Sequence, residues 1–78
     1  MLTLLPIITD DICSLYEARA VAQRAYSDAA KACRDAAAAN APIKDQIALD
    51  FVAREALTAS CDADRAYDAA MSAVQVAA

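Results

Sequence analysis

Glycine, histidine and tryptophan do not occur in this 78-residue chain, and proline occurs only at Pro6 and Pro42. Each absence removes a class of structure or chemistry. Without glycine, the tight turns and bulges of β-architectures lose the residue that makes them. Valine, isoleucine, threonine and aromatic residues are few, whereas alanine supplies nearly a third of the chain, so the sequence predicts an all-α fold.

The missing histidine takes away the commonest general base and zinc ligand. No glycine-rich loop can cradle a phosphate, and neither a Gly-x-Ser-x-Gly nor an HExxH pattern is present. Nucleophilic, phosphoryl-transfer and zinc chemistries therefore lack their parts. The expectation is a protein that is not an enzyme and has no cofactor or metal. Asp62, Asp64 and Asp68 are the densest acids, but Asp62 faces away from the other two and stands three residues from Arg65.

Eleven acids against seven bases give a net charge of −4, with the signs interspersed. No basic face exists for phosphate backbones, so no nucleic-acid partner is expected. The three cysteines, Cys13, Cys33 and Cys61, form no CxxC pattern and are odd in number. They read as small apolar side chains in a reducing compartment, with Cys61 nearest the surface. The first eight residues hold six large aliphatic or Met side chains but no basic region and no cleavage site. Such a segment is neither a signal peptide nor a membrane anchor, and a cytoplasmic location is expected.

What is present is a single domain, 1–78, with one interruption. Four alanines, residues 36–39, favour helix continuation, so the stop comes from Asn40, which tolerates the left-handed conformation, and from Pro42, which pushes Ala41 out of the helical region. Pro42 also suits the first turn of a following helix. The pattern predicts an antiparallel two-helix hairpin, with helix 1 over about 10–39, a hinge at 40–42, and helix 2 over about 42–76.

Helix 1 should start at Thr9, Asp10 and Asp11, a cap followed by acids at the positive end of the helix dipole. Its expected inner stripe is Ile8, Ile12, Leu15, Ala18, Ala22, Ala25/Tyr26, Ala29, Ala32/Cys33 and Ala36. The outer ladder Arg24, Asp28, Lys31, Asp35 reads as a solvated face. On helix 2 the stripe is Leu49, Val52/Ala53, Ala56, Ala59/Ser60, Ala63, Ala66/Tyr67, Ala70, Ala73/Val74 and Ala77. Two small-residue stripes allow close helix packing.

More apolar surface remains than one hairpin can bury. Leu4, Leu5 and Ile8 in the arm, Ile12 and Leu15 early in helix 1, and Ile43, Ile47, Phe51, Leu57 and Met71 on helix 2 are the candidate oligomer or partner interface. The hairpin is expected to complete its core by oligomerisation, as a dimeric four-helix bundle or a higher assembly. The arm would be covered by the hairpin's open end, a neighbouring subunit or a target protein.

Arg19 breaks the inner pattern of helix 1, and a guanidinium there needs a carboxylate or phosphate. In the hairpin register Arg19 falls level with residues 61–64, so Arg19, Asp62, Asp64 and Arg65 can form one polar cluster across the helices. Tyr16 stands beside Arg19, and an aromatic next to a guanidinium can stack a base and hold a phosphate. Tyr16, Arg19, Lys31 and Arg65 are thus the candidate ligand-binding residues.

Two functions fit these readings. The first is a non-enzymatic oligomeric binding protein, of the phage or accessory inhibitor type, acting on a host protein. The second is an oligomer that sequesters a small nucleotide ligand, and in hairpin shape the chain is similar to phage proteins that sequester cyclic nucleotide signals. In this second reading Tyr16, Arg19, Lys31 or Arg65 converge from different subunits round the nucleotide, and the likeness is one of hairpin shape alone. A structural assembly hairpin is a third reading. A homo-oligomer, with no nucleic-acid or membrane partner, is common to all.

Overall fold

In the computed structural model, residues 5–6, 8–74 and 76–77 are described. The order is β1 (Leu5–Pro6), α1 (Asp10–Ala38), α2 (Ile43–Ser72) and β2 (Val76–Ala77). The two long helices pack antiparallel along their length, and the short strands pair antiparallel at the open end, Leu5 opposite Ala77 and Pro6 opposite Val76.

α1 begins where its cap chemistry dictates. Thr9 is extended, and its hydroxyl accepts the Ile12 amide at 3.2 Å, with Asp10 and Asp11 filling the first turn. It ends in a two-bond Schellman turn: the Ala41 amide donates to the Ala36 carbonyl at 2.9 Å and the Asn40 amide to that of Ala37 at 3.1 Å. Asn40 takes φ 54°, the left-handed conformation the turn requires.

Pro42 stands one step outside the position expected of it. It is the N-cap of α2, with φ −53° and ψ 143°, and the helix starts at Ile43. The Schellman turn uses Ala41, so the chain needs one more extended residue before it can wind again. Pro42 supplies that residue, and its carbonyl accepts the Asp45 and Gln46 amides at 2.9 and 3.1 Å. The Gln46 side chain then donates back to the Ala41 carbonyl at 2.7 Å, tying the hinge to the second helix.

The other end of α2 differs more. The helix stops at Ser72, short of the expected 76, and Val76–Ala77 is a strand. A small-residue rhythm running on through Ala73 and Ala77 hid this. The backbone groups there are satisfied by β1, whose Pro6 favours extended geometry. The paired backbone of Leu5 therefore lies at the hairpin's own open end, whereas Leu4 lies outside the described residues.

Packing follows an unbroken three-four rhythm. On α1 the rhythm runs through Ile12, Leu15, Arg19, Ala22, Tyr26, Ala29, Cys33 and Ala36, and on α2 through Gln46, Leu49, Ala53, Ala56, Ser60, Ala63, Tyr67 and Ala70, with Ala20, Ala30, Ala32, Asp64 and Met71 half-covered beside it. This corrects the expected stripe at Ile8 and Ala18 and, where two neighbours were offered, selects the second. Ala18 and Ala25 on α1, and Val52, Ala59, Ala66 and Ala73 on α2, are exposed because Arg19, Tyr26, Ala53, Ser60, Tyr67 and Val74 take the inward places beside them.

The resulting core is shallow. Among the described residues only Ile12 and Ser60 are buried, and no side chain is fully so. The molecule measures 63 × 18 × 15 Å with a radius of gyration of 18.1 Å. A compact domain of this length would have about 11.5 Å. The shape is a slim rod.

Candidate functional site

The rhythm that places Arg19 on the inward seam also decides what it meets. Packed against α2, its guanidinium reaches the carboxylate of Asp64, with Nε 2.9 Å from Oδ1, and lies 5.1 Å from the centre of the Tyr67 ring. Gln23, one turn on, donates Nε2 to the same Asp64 oxygen at 3.1 Å. Tyr16, one turn before, sets its ring edge-to-face on Tyr67, with centroids 5.6 Å apart at 63°. Five side chains from two helices thus form one cluster on one side of the hairpin.

Its electrostatics are those of a neutralised cation. Arg19 and Asp64 keep about a third or more of their side-chain surface in water, at 35 and 41 %. Such a pair is screened and holds orientation more than it holds energy. The ring of Tyr67 covers one flank of the guanidinium, which is where Arg–aromatic attraction acts.

Two shallow recesses adjoin the cluster. A small one of about 100 Å³ is lined by Tyr16, Arg19, Ala20 and Gln23. A larger cleft of about 300 Å³ is lined by Ile8, Ile12, Cys13, Tyr16, Glu17 and Tyr67. The cleft is apolar and aromatic with one acid at its rim.

Of the four sequence candidates, the structure brings Tyr16 and Arg19 together and leaves the other two elsewhere within the chain. Lys31 pairs with Asp35, Nζ to Oδ2 at 2.9 Å, and Arg65 with Asp62 at 3.8 Å, both on exposed outer faces. The expected four-residue cluster across the helices is therefore split: Arg19 takes Asp64, while Arg65 and Asp62 form their own local pair. Gln23 was missed, although its four-residue offset from Arg19 was the available signal.

The second feature is a ridge on α2. Ile43, Ile47 and Phe51, at successive four-residue steps after the hinge, are 69, 64 and 62 % exposed. Leu57 continues the apolar surface beyond the Asp50–Arg54 ion pair, whose Nε–Oδ2 distance is 2.8 Å. Of the remaining interface candidates, Ile8 is exposed, Leu15 and Met71 are half-buried, and Ile12 is buried inside the hairpin. Cys61 is exposed as expected, but so is Cys13.

Among the described residues, no three His, Cys, Asp or Glu side chains are grouped so as to hold a metal ion, and no helix is long and apolar enough to cross a membrane. No protein-family model, curated protein or solved structure matches this chain.

Proposed function

We propose that the chain is a non-enzymatic, homo-oligomeric binding protein that engages a protein partner through the hinge-proximal ridge. The observation that carries this is the exposure of Ile43, Ile47 and Phe51 in one row of ridge-forming helical positions. Each large side chain left in water forgoes ~1.5–3 kcal/mol that burial would supply. A row of three with a flanking ion pair has the make-up of an interface centre with a polar rim. The partner class is a host protein that this chain inhibits or redirects, and a cytoplasmic setting would keep its cysteines as thiols.

The test is capture of one partner by the wild type and by Phe51→Asp and Ile47→Asp, with light scattering on each. Loss of capture by ~10- to 100-fold with helicity retained supports the reading. Equal capture by all three chains refutes it.

A second reading, sequestration of a cyclic nucleotide, is supported by the recess that Tyr16 and Arg19 line together, since these are side chains that stack bases and hold phosphates. An incoming phosphate would have to displace Asp64 from Arg19. Calorimetry with cyclic di- and trinucleotides decides it: micromolar heat that disappears in Arg19→Ala favours this reading, and absence of heat removes it. A purely structural assembly role remains if both experiments fail.

A further inference from the structure

The two long sides of the hairpin differ in chemistry. When antiparallel helices share a three-four seam, the residue just before a seam position on one helix faces the same kind of residue on the other, and the residues just after pair likewise. The Gln23–Asp64 hydrogen bond shows this for the side that follows the seam, since Gln23 comes after Ala22 and Asp64 after Ala63. That side carries Tyr16, Gln23, Ala30 and Ala37 from α1 and Asp50, Leu57, Asp64 and Met71 from α2. The opposite side carries Ala18, Ala25 and Ala32 from α1 and Val52, Ala59 and Ala66 from α2, an uncharged middle with Asp11 and Asp45 at its ends.

We infer that this alanine side is the self-association interface, on which a second copy of the chain lays the same surface about a two-fold axis to close a four-helix bundle. The inference rests on the self-associating part of the function proposed above and specifies its site. Three observations carry it beyond the small size of the residues. Val52 stands among the alanines 52 % exposed, a large apolar side chain left in water. The seam alanines 22, 29, 56 and 63, next to this side, are only half-covered, so two helices alone leave the core open.

Area is the third. The chain exposes 5901 Å², whereas a folded monomer of 8.2 kDa exposes about 4,500 Å². The excess of roughly 1,400 Å² per chain comes with the rod shape, and a second copy laid along the rod would bury an area of the order that each partner of an obligate homodimer buries. Acids border this side, Asp11 and Asp45 at its ends and Asp28, Glu55 and Asp62 three or four residues from its alanines, so the pairing sets them at a solvated rim round an apolar centre. A self-complementary apolar surface on both helices fits a second copy, because a two-fold axis sets each patch against itself.

The experiment is light scattering on wild type, Ala25→Glu, Ala59→Glu and, as the control on the other surface, Phe51→Glu. Glutamate is a good helix former and both alanines are exposed in the single hairpin, so the helices persist, checked by circular dichroism. The expected result is a wild type and Phe51→Glu at twice the 8.2 kDa chain mass or a higher even multiple, with both alanine variants shifted towards the single-chain mass. Nuclear Overhauser contacts between labelled and unlabelled wild-type chains need no variant, and they should join alanine methyls at 18, 25, 59 and 66 to a partner chain. An assembly broken by Phe51→Glu but not by the alanine variants, or intermolecular contacts at the ridge instead, overturns the inference while leaving self-association intact. A wild type that stays monomeric at high micromolar concentration overturns both, whereas the ridge's capture of a partner is judged by its own experiment.

Discussion

Arg19 and Asp64 are joined across the hairpin, Nε to Oδ1 at 2.9 Å, from a position in the three-four seam where an apolar residue would pack as well. Because both side chains are more than a third exposed, their coupling is small. A double-mutant cycle with Arg19→Ala and Asp64→Ala should give ~0.5–1 kcal/mol by denaturant unfolding. Arg19→Met, which keeps the stem packing and removes the charge, should be neutral or stabilising relative to Arg19→Ala. A coupling well above 2 kcal/mol would mean the pair is far drier in solution than its exposure indicates.

The left-handed Asn40 offers a cleaner number. At φ 54° a side chain is a steric cost that glycine avoids. Asn40→Gly should therefore leave stability unchanged or raise it by up to ~1 kcal/mol, whereas Asn40→Ala should lower it by about the same amount. Replacing Asn40, Ala41 and Pro42 together by alanine removes both stop signals and should favour a continuous helix, seen as a larger hydrodynamic radius.

Thr9 caps α1 through a single 3.2 Å bond to the Ile12 amide. Thr9→Ala should cost ~1 kcal/mol. Hydrogen exchange would show the loss first at Ile12 and Cys13, whose amides bond to Thr9, and should leave the middle of the helix protected.

Salt should act on assembly in the direction opposite to that of an ion-paired interface. Each chain carries a net −4, and the proposed contact surface has an uncharged middle with acids at its border. Raising ionic strength from about 0.05 to about 0.5 M screens the repulsion between chains and should strengthen association. Weakening by salt, read in sedimentation equilibrium, would point to an interface built on ion pairs.

The hinge and the helical hairpin could be read from Asn40, Pro42 and the Thr9 cap because those residues act locally, through backbone conformations that only a few side chains favour. What escaped was the choice between neighbouring alanines. Ala18 and Ala22 are chemically identical, so nothing in their identity says which faces inward; Arg19 and Tyr26 take the inward places, and that is a tertiary outcome. The Asp64 partner of Arg19 was within reach of the register, but the separation of Arg65 from it was not, because a one-residue step on a helix turns a side chain through about 100°. Val76–Ala77 was hidden for a related reason: pairing with Leu5–Pro6 is a contact between the two ends of the chain, invisible to any local pattern.

That pairing gives the rod a front and a back. Leu5 and Ala77 lie side by side at one pole, and Asn40 turns the chain at the other, with Ile43, Ile47 and Phe51 just beyond it. A fluorophore or surface tether attached beside Leu5 or Ala77 hangs from the same pole and leaves the ridge clear. Immobilised that way, the molecules would all present their hinges outward, so the orientation of a binding assay is built into the chain.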